Sequence, residues 1–182
     1  MVRSSSFRLA ALLLMTLPAA TTAQQGASGE WRIYGGDPGH TFYSSLDQIN
    51  AQNAQTLEVA WRWSARNFGT NPLAESQTTP LYINGTLYAT AGIRRSVVAI
   101  DPSTGETLWM WRMDEGQERL ADAPRVNPGR GLAYWSDGRG DDRIYVITPG
   151  YHMAALDAET GVPVPGFGTN GVLDLNDNHR TR

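Results

Sequence analysis

Cysteine is absent from all 182 residues. That excludes a disulfide framework, a thiolate zinc site, a lipid-modified N-terminal cysteine and a covalently attached c-type haem within these residues. Positive charge is also scarce: 15 Lys and Arg face 18 Asp and Glu, a formal net charge of −3. Such a surface argues against a polyanion, and nucleic acid in particular, as partner. The apolar run at residues 9–17 (LAALLLMTL) is too short to span a bilayer. Hardly any segment has its apolar residues at helical spacing, so an all-β chain is expected.

What the first residues do contain is the order of features that export requires. Arg3 and Arg8 precede the apolar run, and residues 18–23 end in small side chains with Thr21-x-Ala23 as a cleavage site. Residues 1–23 are therefore read as a signal peptide, and the protein as periplasmic or secreted, with membrane association left open. Its removal takes away two arginines and no acid, so the mature part, from residue 24 on, is more acidic than the whole. Stability without disulfides must then come from burial and hydrogen bonding.

The rest is rich in β-branched and aromatic residues and in the chain's 19 glycines. Its sharpest local signal is LYINGTLY at 81–88, where Asn84-Gly85 separates two β-prone runs. Both residues tolerate the positive φ of a type I′ hairpin turn. Further strands are expected at 57–63, 97–100, 107–111, 132–135, 143–148 and 154–156, separated by Gly, Pro, Asn and Asp. Short strands at this spacing suit a sandwich, a barrel or a propeller.

An internal repeat separates these. Ala99-x-Asp101-x-x-Thr104-Gly105 returns as Ala155-x-Asp157-x-x-Thr160-Gly161, with one constant offset at every matched position, and a similar strand precedes each copy. Two strand–strand–turn units at this period are read as blades. The Asp accepts bonds from the turn amides, the Gly supplies a positive φ, and Trp109 offers a large ring to a neighbouring layer.

The run from Ala99 to Trp109 resembles the tryptophan-docking motif A-x-D-x-x-T-G-x-x-x-W of quinoprotein dehydrogenases, which use pyrroloquinoline quinone (PQQ). In the second copy Pro165 stands where the tryptophan is expected, so that contact is expected to be missing. Residues 31–44 (WRIYGGDPGHTFYS), followed by Leu46, Gln48 and Ile49, resemble the N-terminal arm of PQQ alcohol and glucose dehydrogenases. Gly166-Phe167-Gly168 with Asn170-Gly171 resembles another segment of the same proteins. The expected organisation is a signal peptide at 1–23, an arm at 24–56, and the first two to three blades of an incomplete propeller at 57–182.

The resemblance implies a PQQ-dependent dehydrogenase that oxidises an alcohol or sugar C–OH group and passes electrons to a quinone or cytochrome c. PQQ is a planar tricarboxylic quinone, so its site needs cations and hydrogen-bond donors. Arg130, in GRGLAYW, matches the family arginine that binds a PQQ carboxylate, a task its planar fork suits. Thr148 matches a family threonine that bonds the cofactor, and Gln77 falls where many members carry a glutamate, with Glu75 as the alternative under a slipped alignment. The family's adjacent cysteine pair would fall at Pro124-Arg125 and is absent. A calcium ion, its ligands and the proton-accepting aspartate belong to the remaining blades, so no catalytic residue is expected in this chain and the chain alone is expected to be inactive. The competing reading is a non-catalytic propeller scaffold for protein–protein interaction.

Other patterns carry less. Gly166-x-Gly168-x-x-Gly171 satisfies a dinucleotide fingerprint as a string, but nothing helical is expected after it. Asp174-x-Asn176-x-Asn178 echoes a calcium loop without its glycine. Asp137, Asp141 and Asp142 form a solvated acidic loop, and His40, His152 and His179 have no ligand spacing.

Overall fold

The computed structural model describes residues 29–68, 77–121 and 131–176. The signal peptide expected at 1–23, Glu75, Pro124, Arg125, Arg130 and His179 lie outside them. Among the described residues, eight strands form two four-stranded antiparallel sheets in simple up-and-down order. The first sheet comprises β1 (Leu81–Ile83), β2 (Thr86–Ala91), β3 (Ser96–Ile100) and β4 (Thr107–Trp111). The second comprises β5 (Ala133–Ser136), β6 (Asp142–Ile147), β7 (His152–Asp157) and β8 (Val172–Asp174). A short helix, α1 (Gly116–Ala121), lies on the connection between them.

The β1–β2 hairpin turns at Asn84 (φ 49°) and Gly85 (φ 79°), both left-handed as a type I′ turn demands. Alternation then sorts side chains by face. Leu81, Ile83, Tyr88, Val97 and Ala99 of the first sheet meet Ile144, Val146, Ala154 and Leu156 of the second in one buried core, closed at its rim by Trp109 and Trp111. Val98, Ile100 and Ala91 point the other way, onto Trp61, Trp63 and Phe68. With both faces covered, β3 is buried along its whole length, the burial expected of a blade between neighbours.

The repeat extends beyond its motif. Asp101 Oδ1 accepts the amide of Ser103 at 2.6 Å, and Asp157 Oδ1 accepts the amide and the hydroxyl of Thr160 at 2.8 and 2.6 Å. Trp109 donates Nε1–H to the carbonyl of Ala158 at 3.1 Å and lies on Gly161, where a Cβ would come within 2.5 Å of the ring. Trp61 does the same one unit earlier, to Pro102 at 2.8 Å and over Gly105, with 2.7 Å to a built Cβ. Pro102 and Ala158, like Gly105 and Gly161, are related by the offset of the repeat. Trp61 is therefore a docking ring too, and Trp61-Arg62-Trp63 occupies the place that Trp109-Met110-Trp111 takes in the next unit.

Two expectations need correction. Residues 57–63 are not a strand; they run extended between two 3₁₀ turns, Ala54–Thr56 and Ala65–Phe68. A strand needs a ladder partner, and among the described residues this segment has none; its rings pack on the first sheet while Leu57 and Val59 stay exposed. Second, Pro165 does not occupy the docking position. The register Val98↔Met110 and Ala154↔Val172, continued by the bond from the Ala155 amide to the Gly171 carbonyl at 3.0 Å, puts Gly171 opposite Ala155 where Trp109 stands opposite Ala99. An excursion through Phe167 supplies the extra residues, and its ring packs edge-on against Tyr145 of its own sheet at 5.5 Å. The docking ring is missing, but because of an insertion. The same excursion is where Gly166, Gly168 and Gly171 fall, in turns with no helix after them among the described residues, which removes the dinucleotide reading.

The arm begins by pairing. Trp31 and Tyr82 exchange both backbone hydrogen bonds at 2.8 and 3.0 Å, Glu30 accepts the amide of Asn84 at 2.8 Å, and Arg32 lies over the ring of Tyr134. Further along, the hydroxyl of Thr41 bonds Asp37 and holds its carboxyl below the usual carboxylate range.

Candidate functional site

Of the three residues expected at the cofactor, Gln77 and Thr148 fall at one end of the two sheets. Leu81 pairs with Tyr88 and Tyr134 with Ile144. The offset of the repeat carries Tyr88 onto Ile144, so Tyr134 is the counterpart of Leu81. In the sequence Gln77 and Arg130 each stand four positions before those counterparts. Gln77 is exposed. Arg130 lies outside the described residues; the next residue, Gly131, has φ 108° and would bring a Cβ to 3.5 Å from the carbonyl of Thr79, so the entries to β1 and β5 are neighbours.

Thr148 closes the same end, directly after β6. Its counterpart is Gly92, after β2, and the two turns match closely: Arg95 (φ 51°) and Tyr151 (φ 64°) hold the same left-handed position. Arg95 links the sheets there, donating from Nη1 to the carbonyls of Ile147 and Thr148 at 2.9 and 3.3 Å.

Thr148 itself faces inward, with 1% of its surface exposed. Its hydroxyl donates to Glu115 and accepts the amide of His152 at 3.0 Å. The hydroxyl has one hydrogen to donate, and it is directed at Glu115. The Glu115 carboxylate, whose side chain is 2% exposed, also accepts the amide of Gly150 at 3.1 and 3.0 Å and lies 2.7 Å from His152 Nδ1. A carboxylate can only accept, which puts the imidazole hydrogen on Nδ1. Arg119 donates to the carbonyl of Gly150 at 2.6 Å and to Asp174 at 2.5 Å. The Asn176 amide and then the Arg119 guanidinium hold the Asp174 carboxyl below its ordinary range. Those bonds also occupy the carboxylate that opened the calcium-loop echo, and among the described residues no group of three or more potential ligands could hold a metal ion.

A family model matches residues 31–182: the β-propeller domain of PQQ glucose, ethanol and alcohol dehydrogenases. The chain belongs to this family. Among its relatives, the glycerol dehydrogenase large subunit of Gluconobacter oxydans (strain 621H) is 31% identical over 159 residues, covering 82% of this chain and 21% of that protein. The quinohemoprotein alcohol dehydrogenase ADH IIB of Pseudomonas putida is 33% identical over 153 residues, covering 84% and 21%. The crystal structure of quinohemoprotein alcohol dehydrogenase from Comamonas testosteroni superposes with a TM-score of 0.62 at 28% identity, over 85% of this chain and 21% of that one. A europium-containing methanol dehydrogenase does so with a TM-score of 0.58 at 27% identity, over 75% and 22%.

The chain thus spans about a fifth of the length of these quinoprotein relatives, and its two sheets are an incomplete propeller. Glu115 and Arg95 escaped sequence reasoning. Glu115 meets partners 33 to 37 positions away through no repeated motif. Arg95 could have been found by extending the repeat comparison from the docking motif into the turn before it.

Proposed function

We propose that this chain is the N-terminal part of a PQQ-dependent dehydrogenase that oxidises an alcohol or sugar C–OH group in the periplasm, and that it is inactive by itself. The observation that carries this is the meeting of Gln77, the entry to β5 that Arg130 precedes, and the Arg95-bridged Thr148 turn at one end of the two sheets. Guanidinium and amide donors at a sheet end are the chemistry a planar tricarboxylate requires.

Arg130 would pair with a cofactor carboxylate through its planar fork, and Gln77 would donate its amide. Thr148 would shape the wall through its backbone, since its hydroxyl is engaged by Glu115. Bound PQQ supplies a two-electron acceptor for the C–OH donor, whose electrons then pass to a quinone or cytochrome c. The divalent cation and the group that takes the hydroxyl proton belong to blades beyond these residues. Periplasmic placement rests on the leader at 1–23.

In the full-length protein, Arg130→Ala should raise the PQQ concentration that half-activates the apoenzyme by about tenfold or more, the loss expected for a charge-assisted pair. An unchanged titration would remove Arg130 from the site. This chain alone, given PQQ and calcium, should show no alcohol-dependent dye reduction; turnover above a protein-free control would refute the placing of the chemistry elsewhere.

A further inference from the structure

We propose that Asn84-Gly85, the tip of the β1–β2 hairpin, is a site of spontaneous deamidation, and that its conversion unpins the arm from the first sheet. Cofactor binding plays no part in it, and the function just proposed leaves this side chain idle.

An asparagine deamidates when the nitrogen of the next residue, its proton taken by hydroxide, attacks the side-chain Cγ. A C–N bond forms, the Cγ–Nδ2 bond breaks and ammonia leaves; water then opens the cyclic imide to aspartate or isoaspartate, with no change of oxidation state. Glycine is the most open nucleophile for this step, since it has no Cβ to obstruct the approach. The chain has two Asn-Gly pairs, Asn84-Gly85 and Asn170-Gly171, and both asparagines are exposed with left-handed φ, 49° and 52°. The fold separates them. No atom beyond the chain neighbours comes within 4 Å of where a Cβ at Gly85 would stand, and among the described residues its amide donates no hydrogen bond. Gly171 is buried, a Cβ there would come 2.4 Å from Pro163, and its amide donates to the carbonyl of Phe167 at 2.9 Å. Attack at Asn170 must first break that bond. Attack at Asn84 gives up one exposed hydrogen bond, from Nδ2 to Asp142 Oδ2 at 3.1 Å.

Three parts of the molecule meet at this residue. The Asn84 amide donates to Glu30 of the arm at 2.8 Å, and Glu30, its side chain 8% exposed, pairs with Arg32 at 2.5 Å. Asn84 Nδ2 reaches Asp142, the first residue of β6 in the second sheet. Deamidation turns that donor into a carboxylate, so acceptor faces acceptor and two negative charges stand where a hydrogen bond stood. The Glu30 carboxylate adds a third charge beside the same backbone unit. Isoaspartate also lengthens the backbone of a two-residue turn whose type I′ geometry has no room for an extra methylene. Either product works against the first contact of the arm, the pair of backbone bonds between Trp31 and Tyr82, two positions before Asn84.

Peptide mapping by mass spectrometry of the full-length protein, incubated folded at mildly alkaline pH, follows both asparagines in one sample. Asn84 should convert about fivefold faster than Asn170 or more, the factor that matches the net worth of one hydrogen bond. In urea the two rates should converge. Equal rates in the folded protein, or a ratio that persists unchanged in urea, would overturn the assignment of the site. Asn84→Asp isolates the charge, because aspartate tolerates the same left-handed φ. Hydrogen exchange in the peptides holding Trp31 and Tyr82 should quicken about threefold or more in this variant and in wild-type protein deamidated at Asn84. Asn84→Asp combined with Asp142→Asn puts a donor opposite an acceptor again and should restore slow exchange. Exchange that is unmoved in Asn84→Asp and in the deamidated protein, or that the paired substitution fails to restore, overturns the unpinning.

Discussion

Trp109 offers the sharpest test of how the blades are joined. Trp109→Ala removes a half-buried ring from the rim of the shared core, and about 3 kcal/mol, the low end for tryptophan truncation, is the expected loss. Trp109→Phe keeps a ring on Gly161 and loses only the indole N–H. The Ala158 carbonyl is not orphaned by that change, because Tyr88 Oη also donates to it at 3.1 Å; the cost should stay near about 1 kcal/mol. Gly161→Ala should cost more than its left-handed φ of 71° alone, for which about 1–2 kcal/mol is typical, since the new methyl would press into the indole. In a Trp109→Ala background that collision vanishes and only the backbone term remains.

The two costs should therefore fail to add, with a coupling of about 1 kcal/mol or more between residues in contact. Urea unfolding of the full-length protein followed by far-ultraviolet circular dichroism measures this without relying on the altered tryptophan. At a slope of roughly 1–3 kcal/mol per molar, a loss of about 3 kcal/mol lowers the midpoint by about 1–3 M. Glu159→Ala, an exposed change in the same turn, should stay within about 0.5 kcal/mol. Strict additivity of Trp109→Ala and Gly161→Ala would refute the docking of ring on glycine.

Asp174 and Ser96 each support a simpler test. Asp174 has a folded pKa below its unfolded value, so its stabilisation is complete above the unfolded pKa and is lost as pH falls through the folded one. Acid unfolding that begins from about pH 4 downward should therefore lose part of its steepness in Asp174→Asn; identical acid profiles would rule the residue out. Ser96 Oγ is buried with no hydrogen-bond partner among the described residues, so Ser96→Ala should be neutral or stabilise by up to about 1 kcal/mol; a melting temperature lowered by several degrees would mean that the hydroxyl has a partner.

Patterns local in the chain were legible from the residues alone. Asn84-Gly85 set the hairpin, because two adjacent residues tolerant of positive φ leave few other turns. The return of the Ala99 motif at Ala155 announced two like units, and Asp with Thr-Gly closed the same turn in both. Residues 57–63 misled for an equally physical reason: alternating Leu57, Val59, Trp61 and Trp63 encode a surface that can pack, but strand pairing needs a neighbour that these residues do not supply. Pro165 misled because counting along the chain assumes equal lengths, and an insertion before β8 shifts the register.

The residues of this chain thus decided by themselves the strand period, the turns, the repeat and the family, since each depends on contacts within a few positions or on a recurring string. Which end of the sheets gathers Gln77, Thr148 and the entry to β5, that Trp61 docks as Trp109 does, and that the Thr148 hydroxyl donates its hydrogen bond to Glu115 were decided only by tertiary structure. Those contacts join residues 33 to 53 positions apart, and hydrogen bonds at that separation leave no local trace in side-chain type or spacing.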